Sequence, residues 1–363
     1  MESDQSTSRA TRRWWARPLL LLASILFALI VGELAIRLTG LAPTPIPIDL
    51  EASKSVYQRS ANPIMGYELK PNYSDRLADT HQSLPKTNSD GQRDIERAIE
   101  RRPGVPRVIL LGDSVVAGHG IYELDETISR QLENRFPPDA VEVLNFGVGG
   151  YCTLAEVELL RTKGLKYQPD IVVLLFLGND YTNLNARVHM YASSHPRAAW
   201  INQCFLRSHI FRLVSIRLNL FGFGDDWQPE MRHAKAVGPN NVERGIEQFK
   251  KLADEHGFRP IVVLWPGFDD GRLVDVWHEP KTTDPHAVVR FAERCGIPTT
   301  GLIDFFRRDA ETIGGNPNYR VRYSIGDTLH PSPRGAAVAA LGLEEILRQQ
   351  FPEIFANIPR RSP

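Results

Sequence analysis

Cysteine is scarce in this sequence, with three in 363 residues. Three cysteines cannot build the disulfide framework of a small secreted scaffold, and Cys152, Cys204 and Cys295 lack the paired C-x-x-C spacing of a structural zinc site. Because the count is odd, at least one thiol is free or paired between chains. The fold therefore has to be held together by packing.

An excess of charge of one sign is also missing. The sequence has 43 Lys and Arg against 43 Asp and Glu, a formal net charge of zero. Such a chain has no overall field that would attract nucleic acid, so we expect no nucleic-acid partner. With 42% hydrophobic residues, 27 glycines and 26 prolines, the composition excludes a disordered or collagen-like chain. The length allows one large domain with additions, or two domains.

One apolar run lies near the N-terminus. Residues 18–32 carry no charge, and Glu33 interrupts the run before Ile36. Counted through Ile36, the run is long enough to cross a bilayer with Glu33 near an interface. The arginines that precede it favour a cytoplasmic N-terminus. We predict a cytoplasmic tail over 1–17 and a transmembrane signal anchor over 18–39, with the rest of the chain extracytoplasmic (periplasmic in a bacterium). A cleaved signal peptide is the alternative.

The rest of the chain alternates between short apolar runs and amphipathic stretches. Residues 40–104 are predicted to form a proline-rich spacer and an N-terminal extension that packs on the core. The strand candidates are 108–111, 141–146, 170–176, 260–265 and 298–304, and the helix candidates lie near 124–136, 153–164, 241–256, 284–295 and 334–350. This order predicts an α/β domain over 105–350, with a mostly parallel sheet of about five strands covered on both faces. We expect an insertion around 181–240 and a C-terminal tail over 351–363.

Polar clusters follow the predicted strands, and in open parallel sheets ligands bind at the carboxyl ends of the strands. The clusters are Gly112-Asp113-Ser114 after the first strand, Gly147-Val148-Gly149-Gly150 after the second, Gly178-Asn179-Asp180 after the third, and Asp327-Thr328-Leu329-His330 before the last helix. The sequence therefore predicts one site formed by residues far apart in the chain.

These residue types match the needs of acyl transfer. A serine hydroxyl is a weak nucleophile until an imidazole takes its proton, and a carboxylate must orient that imidazole and stabilise it when charged. Ser114, His330 and Asp327 supply the three groups as predicted catalytic residues. The negative charge on the carbonyl oxygen needs fixed donors. We assign the oxyanion hole to the backbone N–H groups of Ser114 and Gly150 and to the side-chain amide of Asn179.

Asp113 and Asp180, which lie next to Ser114 and Asn179 in the sequence, are expected to have structural roles. Asp113 is expected to orient the serine loop or to cap the helix that follows it, and Asp180 is expected to brace the loop of Asn179. His119, five positions after Ser114, either lines the pocket or is an exposed loop residue.

The four clusters, in this order, resemble the sequence blocks of the SGNH (GDSL-type) hydrolases over about residues 105–350. Residues 87–94 (TNSDGQRD) are also similar to membrane-anchored bacterial members. The resemblance implies a flavodoxin-like three-layer α/β/α fold, ester hydrolysis or acyl transfer, and no metal or organic cofactor. It assigns Ser114 as the nucleophile, Gly150 and Asn179 as oxyanion-hole donors, and Asp327 and His330 as the rest of the triad. Val115 stands where the family usually has leucine, a mild departure.

The leading hypothesis is a membrane-tethered serine esterase or O-acyltransferase that acts on an acyl, for example acetyl, group. An acylated small molecule, a glycan or a lipid of the cell envelope is the expected substrate, and the oligomeric state is left open. A metal-dependent phosphoesterase and a catalytically silent glycan-binding module are the alternatives.

The insertion suggests a further hypothesis. Residues 197–223 contain arginines and no acidic residue, interleaved with apolar residues at helical spacing. We interpret this segment either as an amphipathic helix that packs on the core or as a lid or surface for anionic lipid or polysaccharide.

Overall fold

The computed structural model describes residues 15–42, 56–74, 86–182, 197–224, 236–275, 287–312, 314 and 318–361. The chain divides into two compact units. The first comprises residues 1–49 and 194–228, and the second comprises residues 50–193 and 229–363. The four polar clusters that we predict to form the site all belong to the second unit.

The strands are three to six residues long. They are β1 (Tyr57–Arg59), β2 (Tyr67–Leu69), β3 (Arg107–Gly112), β4 (Glu142–Gly147), β5 (Ile171–Phe176), β6 (Arg259–Leu264), β7 (Pro266–Phe268), β8 (Leu273–Asp275) and β9 (Thr299–Gly301). Five of them form one sheet in the order β4-β3-β5-β6-β9, and every pair in it is parallel. Counted along the chain, this is the 2-1-3-4-5 order of flavodoxin-like folds. The predicted parallel α/β sheet is confirmed.

The helices follow the strands along the chain. They are α1 (Ala16–Thr39), α2 (Ser114–Ala117), α3 (Ile128–Glu133), α4 (Thr153–Leu159), α5 (Ala199–Arg207), α6 (His209–Arg217), α7 (Asn241–His256), α8 (Ala287–Arg294), α9 (Ile303–Glu311), α10 (Tyr319–Tyr323), α11 (Pro333–Gln350) and α12 (Pro352–Phe355). Shorter turns of 3₁₀ or π helix lie at Leu124–Glu126, Leu160–Gly164, Leu165–Tyr167, Gly178–Tyr181 and Leu220–Gly222.

Both faces of the sheet are buried. Successive side chains of a strand point to opposite sides, and each side packs into its own apolar cluster. In β3, Ile109 and Leu111 join one apolar cluster, and Val108 and Leu110 join another. The first cluster includes residues of α4, α7 and α8, and the second includes residues of α3, α9 and α11. The apolar run of β3 is therefore the signature of a central strand covered on both sides.

Segments at both ends of the hydrolase-like region contribute to these clusters. Tyr57 and Tyr67, from the predicted N-terminal extension, are buried in the first cluster. Phe351 and Phe355 are buried in the second. The segment that we assigned to a C-terminal tail thus contains α12, which packs into the core because both aromatic rings leave water there.

The first unit contains α1, α5 and α6. Helix α1 has 24 residues, none of them buried, and its most apolar stretch has a mean hydropathy of 2.7. By length and composition it is able to cross a membrane, and a signal sequence has the same properties. Helices α5 and α6 meet at Ser208, whose hydroxyl accepts a hydrogen bond from Phe211 N at 3.1 Å.

Candidate active site

Ser114 lies at the carboxyl end of the central strand β3. Asp113 caps the helix that begins with Ser114, because its carboxylate accepts a hydrogen bond from the backbone N–H of Val115 at 3.0 Å. The helix ends at Gly118, whose φ of 74° lies in the left-handed region. This short helix holds the serine hydroxyl at the edge of the sheet, half-buried.

Asp327 folds its own loop into a turn. One carboxylate oxygen accepts hydrogen bonds from the backbone N–H groups of Leu329 and His330, at 3.0 and 2.8 Å. The loop is also fastened to the sheet region, since the indole of Trp265 donates to Leu329 O at 2.9 Å. Few degrees of freedom remain for the side chains of Asp327 and His330.

The structure brings Ser114, Asp327 and His330 together. His330 Nε2 lies 2.9 Å from Ser114 Oγ, and His330 Nδ1 lies 2.6 Å from Asp327 Oδ2. Burial opposes ionisation of Asp327, but hydrogen bonds from His330 and from two backbone N–H groups outweigh it and lower the pKa of Asp327 to about 2. The carboxylate is therefore ionised beside the imidazole in the neutral pH range. This is the arrangement that activation of a serine hydroxyl requires.

Asn179 is tied to the turn that carries the serine. It lies in the 3₁₀ turn directly after β5, and its side-chain amide donates a hydrogen bond to Asp113 Oδ2 at 2.8 Å. An amide group has two N–H bonds, so the second can point elsewhere. Asp113 thus links the Ser114 helix to the Asn179 loop through its two carboxylate oxygens.

The glycine turn after β4 lies beside Ser114. A Cβ built on Gly149 would lie 3.6 Å from Ser114 Cβ, and Gly150 has a φ of 80°, which favours glycine. The hydroxyl of Tyr67 donates to Gly149 O at 2.7 Å. In a trans peptide the C=O and N–H groups point in opposite directions. The hydrogen bond to Gly149 O therefore turns the N–H of Gly150 away from Tyr67.

The comparison with protein families supports the motif argument. The model of the GDSL-like lipase/acylhydrolase family matches residues 110–338, more than half of the chain. The chain belongs to this family. The family is described as one of lipases and acylhydrolases, enzymes that act on ester bonds. A search of curated proteins gave no match.

Solved structures of similar fold have low sequence identity to this GDSL-type chain. A two-domain esterase active on acetylated mannans has 13% identity, with 68% of this chain and 49% of that chain covered and a TM-score of 0.38. A lipase/acylhydrolase from Enterococcus faecalis has 17% identity, with 71% and 100% covered and a TM-score of 0.37. An α/β hydrolase from the metagenome of Lake Arreo has 16% identity, with 66% and 94% covered and a TM-score of 0.37. The GDSL-type chain spans about half the length of the two-domain esterase.

Buried acids lie behind the Asn179 loop of this GDSL-type hydrolase. Asp180, whose carboxyl group accepts a hydrogen bond from Thr153 at 3.1 Å, and Glu156 are both fully buried. Burial and the charge of Asp113 raise the pKa of Asp180. Burial, together with the charges of Asp180 and Asp113, raises the pKa of Glu156. The hydrogen bond to Thr153 agrees with the bracing role expected for Asp180, whereas Glu156 carried no signal in the sequence.

Sequence reasoning also missed the aromatic support of the glycine turn. Tyr67 packs edge-to-face on Tyr57 and on Tyr151, with ring centroids 5.5 and 5.3 Å apart. Tyr151 donates a hydrogen bond to Tyr67 O. Tyrosines are common in cores, and β1 and β2 precede every family motif, so no spacing in the sequence indicated this contact.

Two further side chains lie near His330 and the helix that begins with Ser114. The ring of His119 lies 4.5 Å from that of His330, centroid to centroid, which agrees with the pocket-lining interpretation of His119. Arg93, from the TNSDGQRD stretch, is buried and donates to the carbonyls of Ala117 and Gly118. Arg93 therefore holds the end of the Ser114 helix.

Among the described residues, no group of three His, Cys, Asp or Glu side chains is arranged to hold a metal ion.

Proposed function

We propose that this GDSL-type hydrolase is a serine esterase or O-acyltransferase, tethered to a membrane by α1, with Ser114 as nucleophile, His330 as general base and Asp327 as the residue that orients His330. The observation that carries the proposal is the contact of His330 Nε2 with Ser114 Oγ at 2.9 Å, with Asp327 2.6 Å from the other ring nitrogen. A serine that only capped a helix would not need this imidazole.

The first half-reaction forms an acyl-enzyme. Ser114 Oγ attacks the carbonyl carbon of the ester while His330 Nε2 takes the hydroxyl proton. The bond between that carbon and the alcohol oxygen then breaks, and the same proton passes from His330 to the leaving alcohol. Asp327 remains ionised throughout and stabilises the charged imidazole, in keeping with its lowered pKa.

The second half-reaction regenerates the serine. A water molecule, or the hydroxyl of an acceptor, loses its proton to His330 and attacks the acyl carbon. The bond to Ser114 Oγ breaks, and the serine recovers its proton from His330. Hydrolysis and acyl transfer differ only in the attacking oxygen, so one set of residues serves both.

Three donors would stabilise the oxyanion: the N–H groups of Ser114 and Gly150 and the free N–H of the Asn179 amide. The hydrogen bond from Asn179 to Asp113 leaves one amide N–H for the substrate. Tyr67 is then a positioning residue, because its hydrogen bond to Gly149 O fixes the peptide that carries the Gly150 N–H. Fixed donors of this kind need no reorganisation during the reaction.

The proposed membrane tether narrows the substrate. We infer a cytoplasmic N-terminus from the arginines that precede α1, which puts the catalytic unit outside the cytoplasm. A site held at the envelope meets O-acylated glycans and lipids at high local concentration, so esters of these classes are the proposed substrates. Protease added to spheroplasts should degrade the catalytic unit and leave a membrane-protected N-terminal fragment, whereas full protection would reverse the topology.

Labelling by a fluorophosphonate tests the nucleophile. The full-length chain should be labelled at Ser114, and Ser114→Ala should lose both labelling and ester turnover while keeping its circular dichroism spectrum. Ser89→Ala is the matched control, because Ser89 is an exposed serine whose hydroxyl bonds to Glu96, and this variant should be labelled like the wild type. Turnover by Ser114→Ala within about tenfold of the wild type would refute serine catalysis.

A panel of short-chain acyl esters, with and without glycan acceptors, then separates hydrolysis from transfer. Release of free acid alone indicates an esterase, and an acylated acceptor in the products indicates an acyltransferase.

A further inference from the structure

The first unit contains a groove that the proposed ester chemistry does not use. It lies between α1 and the α5–α6 pair and has a volume of about 740 Å³. Its walls are apolar over most of their length, formed by Leu29 and Ile30 of α1 and by Ile210, Phe211 and Val214 of α6. Arg37 and Arg207 also line it.

Glu33 joins the two walls and explains the charge inside the apolar run. Its carboxylate accepts hydrogen bonds from the backbone N–H groups of His209 and Ile210, at 2.8 and 2.9 Å, and from Ser208 Oγ at 3.0 Å. Arg37 Nε donates to it at 2.8 Å. Glu33 thus caps α6 from another helix. Its negative charge is compensated by Arg37 and by the helix N-terminus.

Along α1, the groove is apolar near Leu29 and Ile30 and charged near Arg37, as one leaflet of a membrane is apolar inside and charged at its surface. An α-helix rises 1.5 Å per residue, so Leu29 lies about 15 Å along the axis from Thr39 and about 12 Å from Arg37. If α1 spans a hydrocarbon core of about 30 Å, Leu29 lies near its midplane and Arg37 near the headgroups. The apolar part of the groove would then face acyl chains, and its arginine end would lie at the level of the phosphates.

The α5–α6 pair has the features of a helix pair at a membrane surface. Trp200 in α5 is exposed, as are Leu218 and Phe221 just after α6. The sequence from 199 to 217 contains arginines but no acidic residue. In the described part of the chain, the side chain of Arg207 makes no ion pair. Arginine binds phosphate through charge-assisted hydrogen bonds, and exposed apolar residues on a basic helix favour the boundary between headgroups and acyl chains.

We propose that this groove binds one phospholipid of the leaflet that contains the C-terminal end of α1, with an acyl chain along Leu29, Ile30 and Val214 and the phosphate at Arg37 and Arg207. The proposal rests on the membrane anchoring proposed above. The α5–α6 pair is then a second lipid-binding element of the first unit, beside α1.

Native mass spectrometry of the full-length chain tests the site. After delipidation in detergent, titration with phosphatidylglycerol should give a predominant species with one lipid. Val214→Trp fills the groove and should weaken this binding by at least about tenfold, the cost of displacing two methylenes. Val321→Trp is the matched control, since Val321 is an exposed valine of the second unit that does not line the groove, and it should bind like the wild type.

A second variant tests the arginine end of the groove. Arg207→Gln should reduce the preference for phosphatidylglycerol over phosphatidylcholine by about fivefold, the effect of one arginine near an anionic surface. The proposal is overturned if the wild type retains no lipid, if Val214→Trp binds as the wild type does, or if both tryptophan variants lose lipid equally.

Two parallel measurements separate this proposal from the proposed function. Resistance of the chain to extraction from membranes by carbonate reports on the anchor, and fluorophosphonate labelling of Ser114 reports on the catalytic site. Loss of lipid binding with both of these intact refutes the groove alone, whereas a chain released by carbonate refutes the anchor and the groove together.

Discussion

Replacing Gly150 by alanine tests the turn that carries the proposed oxyanion donor. Gly150 has a φ of 80°, and an added Cβ would lie 2.7 Å from Tyr67 Oη. That hydroxyl cannot withdraw freely, because it donates to Gly149 O at 2.7 Å and its ring is buried. Alanine therefore introduces backbone strain and also disrupts the hydrogen bond that orients the peptide.

The two costs can be estimated separately. The left-handed conformation costs a non-glycine residue about 1–2 kcal/mol, and loss of the hydrogen bond costs about 0.5–1.5 kcal/mol. A total of about 1.5–3.5 kcal/mol lowers the Tm by about 3–14 °C for a domain of this size. Rotation of the 149–150 peptide also withdraws one oxyanion donor, which lowers kcat by about 100–1,000-fold.

Gly257→Ala is the matched control. Gly257 has a φ of 77°, and nothing lies within 4 Å of its added Cβ. This variant should lose about 1–2 kcal/mol of stability with unchanged kcat. Tyr67→Phe makes room for the alanine methyl group. The double variant should therefore lose less stability than the sum of the losses of Gly150→Ala and Tyr67→Phe alone.

The assay is ester turnover together with thermal unfolding followed by circular dichroism. A Gly150→Ala enzyme with kcat within about twofold of the wild type would refute the assignment of Gly150 as an oxyanion donor. Strict additivity in the double variant would refute the contact with Tyr67.

Three further predictions concern charge. Asp327→Asn should lower kcat by about 10⁴-fold with the fold intact, because asparagine favours the wrong imidazole tautomer; a loss below about tenfold in steady-state kinetics would contradict this. The pKa of Asp327 is lowered from its ordinary value of 3.8 to about 2. The ionised carboxylate therefore stabilises the fold above pH 3.8, and this stabilisation is lost as the pH falls toward 2. Chemical denaturation of the wild type between pH 5 and 2 should show a fall in the free energy of unfolding that Asp327→Asn reduces. Burial and the charge of Asp180 raise the pKa of Glu156 above its ordinary value of 4.5, so the free energy of unfolding should fall as the pH rises above 4.5, because the unfolded chain then loses a proton that the folded chain retains. Glu156→Gln should flatten this dependence, and an unchanged slope above pH 4.5 would contradict a raised pKa of Glu156.

The sheet could be predicted because its strands are apolar on both faces. The run around Val108 to Leu111 has no polar alternation, which is the pattern of a central parallel strand. The helix of the N-terminal apolar run was predicted for a similar reason, and in the structure it begins at Ala16 and ends at Thr39.

Part of the candidate site could be predicted from the sequence, and part could not. Ser114 and Asn179 follow strands that the sequence reveals, and the Asp327–His330 loop precedes a helix that it reveals. Their placement near one edge of the sheet could therefore be anticipated, and their catalytic roles stay predictions. The support of Tyr67 and the burial of Glu156 could not be anticipated. Both depend on which helix or strand packs against which. The spacing of a tyrosine or a glutamate in the sequence is the same whether the side chain is buried or faces solvent.

The cap that Glu33 provides has a consequence for synthesis of the chain. Its partner His209 follows 176 residues later, a delay of about 10–35 s at an elongation rate of about 5–20 residues per second. During that interval the carboxylate of Glu33 lacks the backbone N–H donors of His209 and Ile210, which have not yet been made. The N-terminal helix is thus synthesised early and receives its capping contacts late, after the residues of three strands of the central sheet (β3, β4 and β5) have been made.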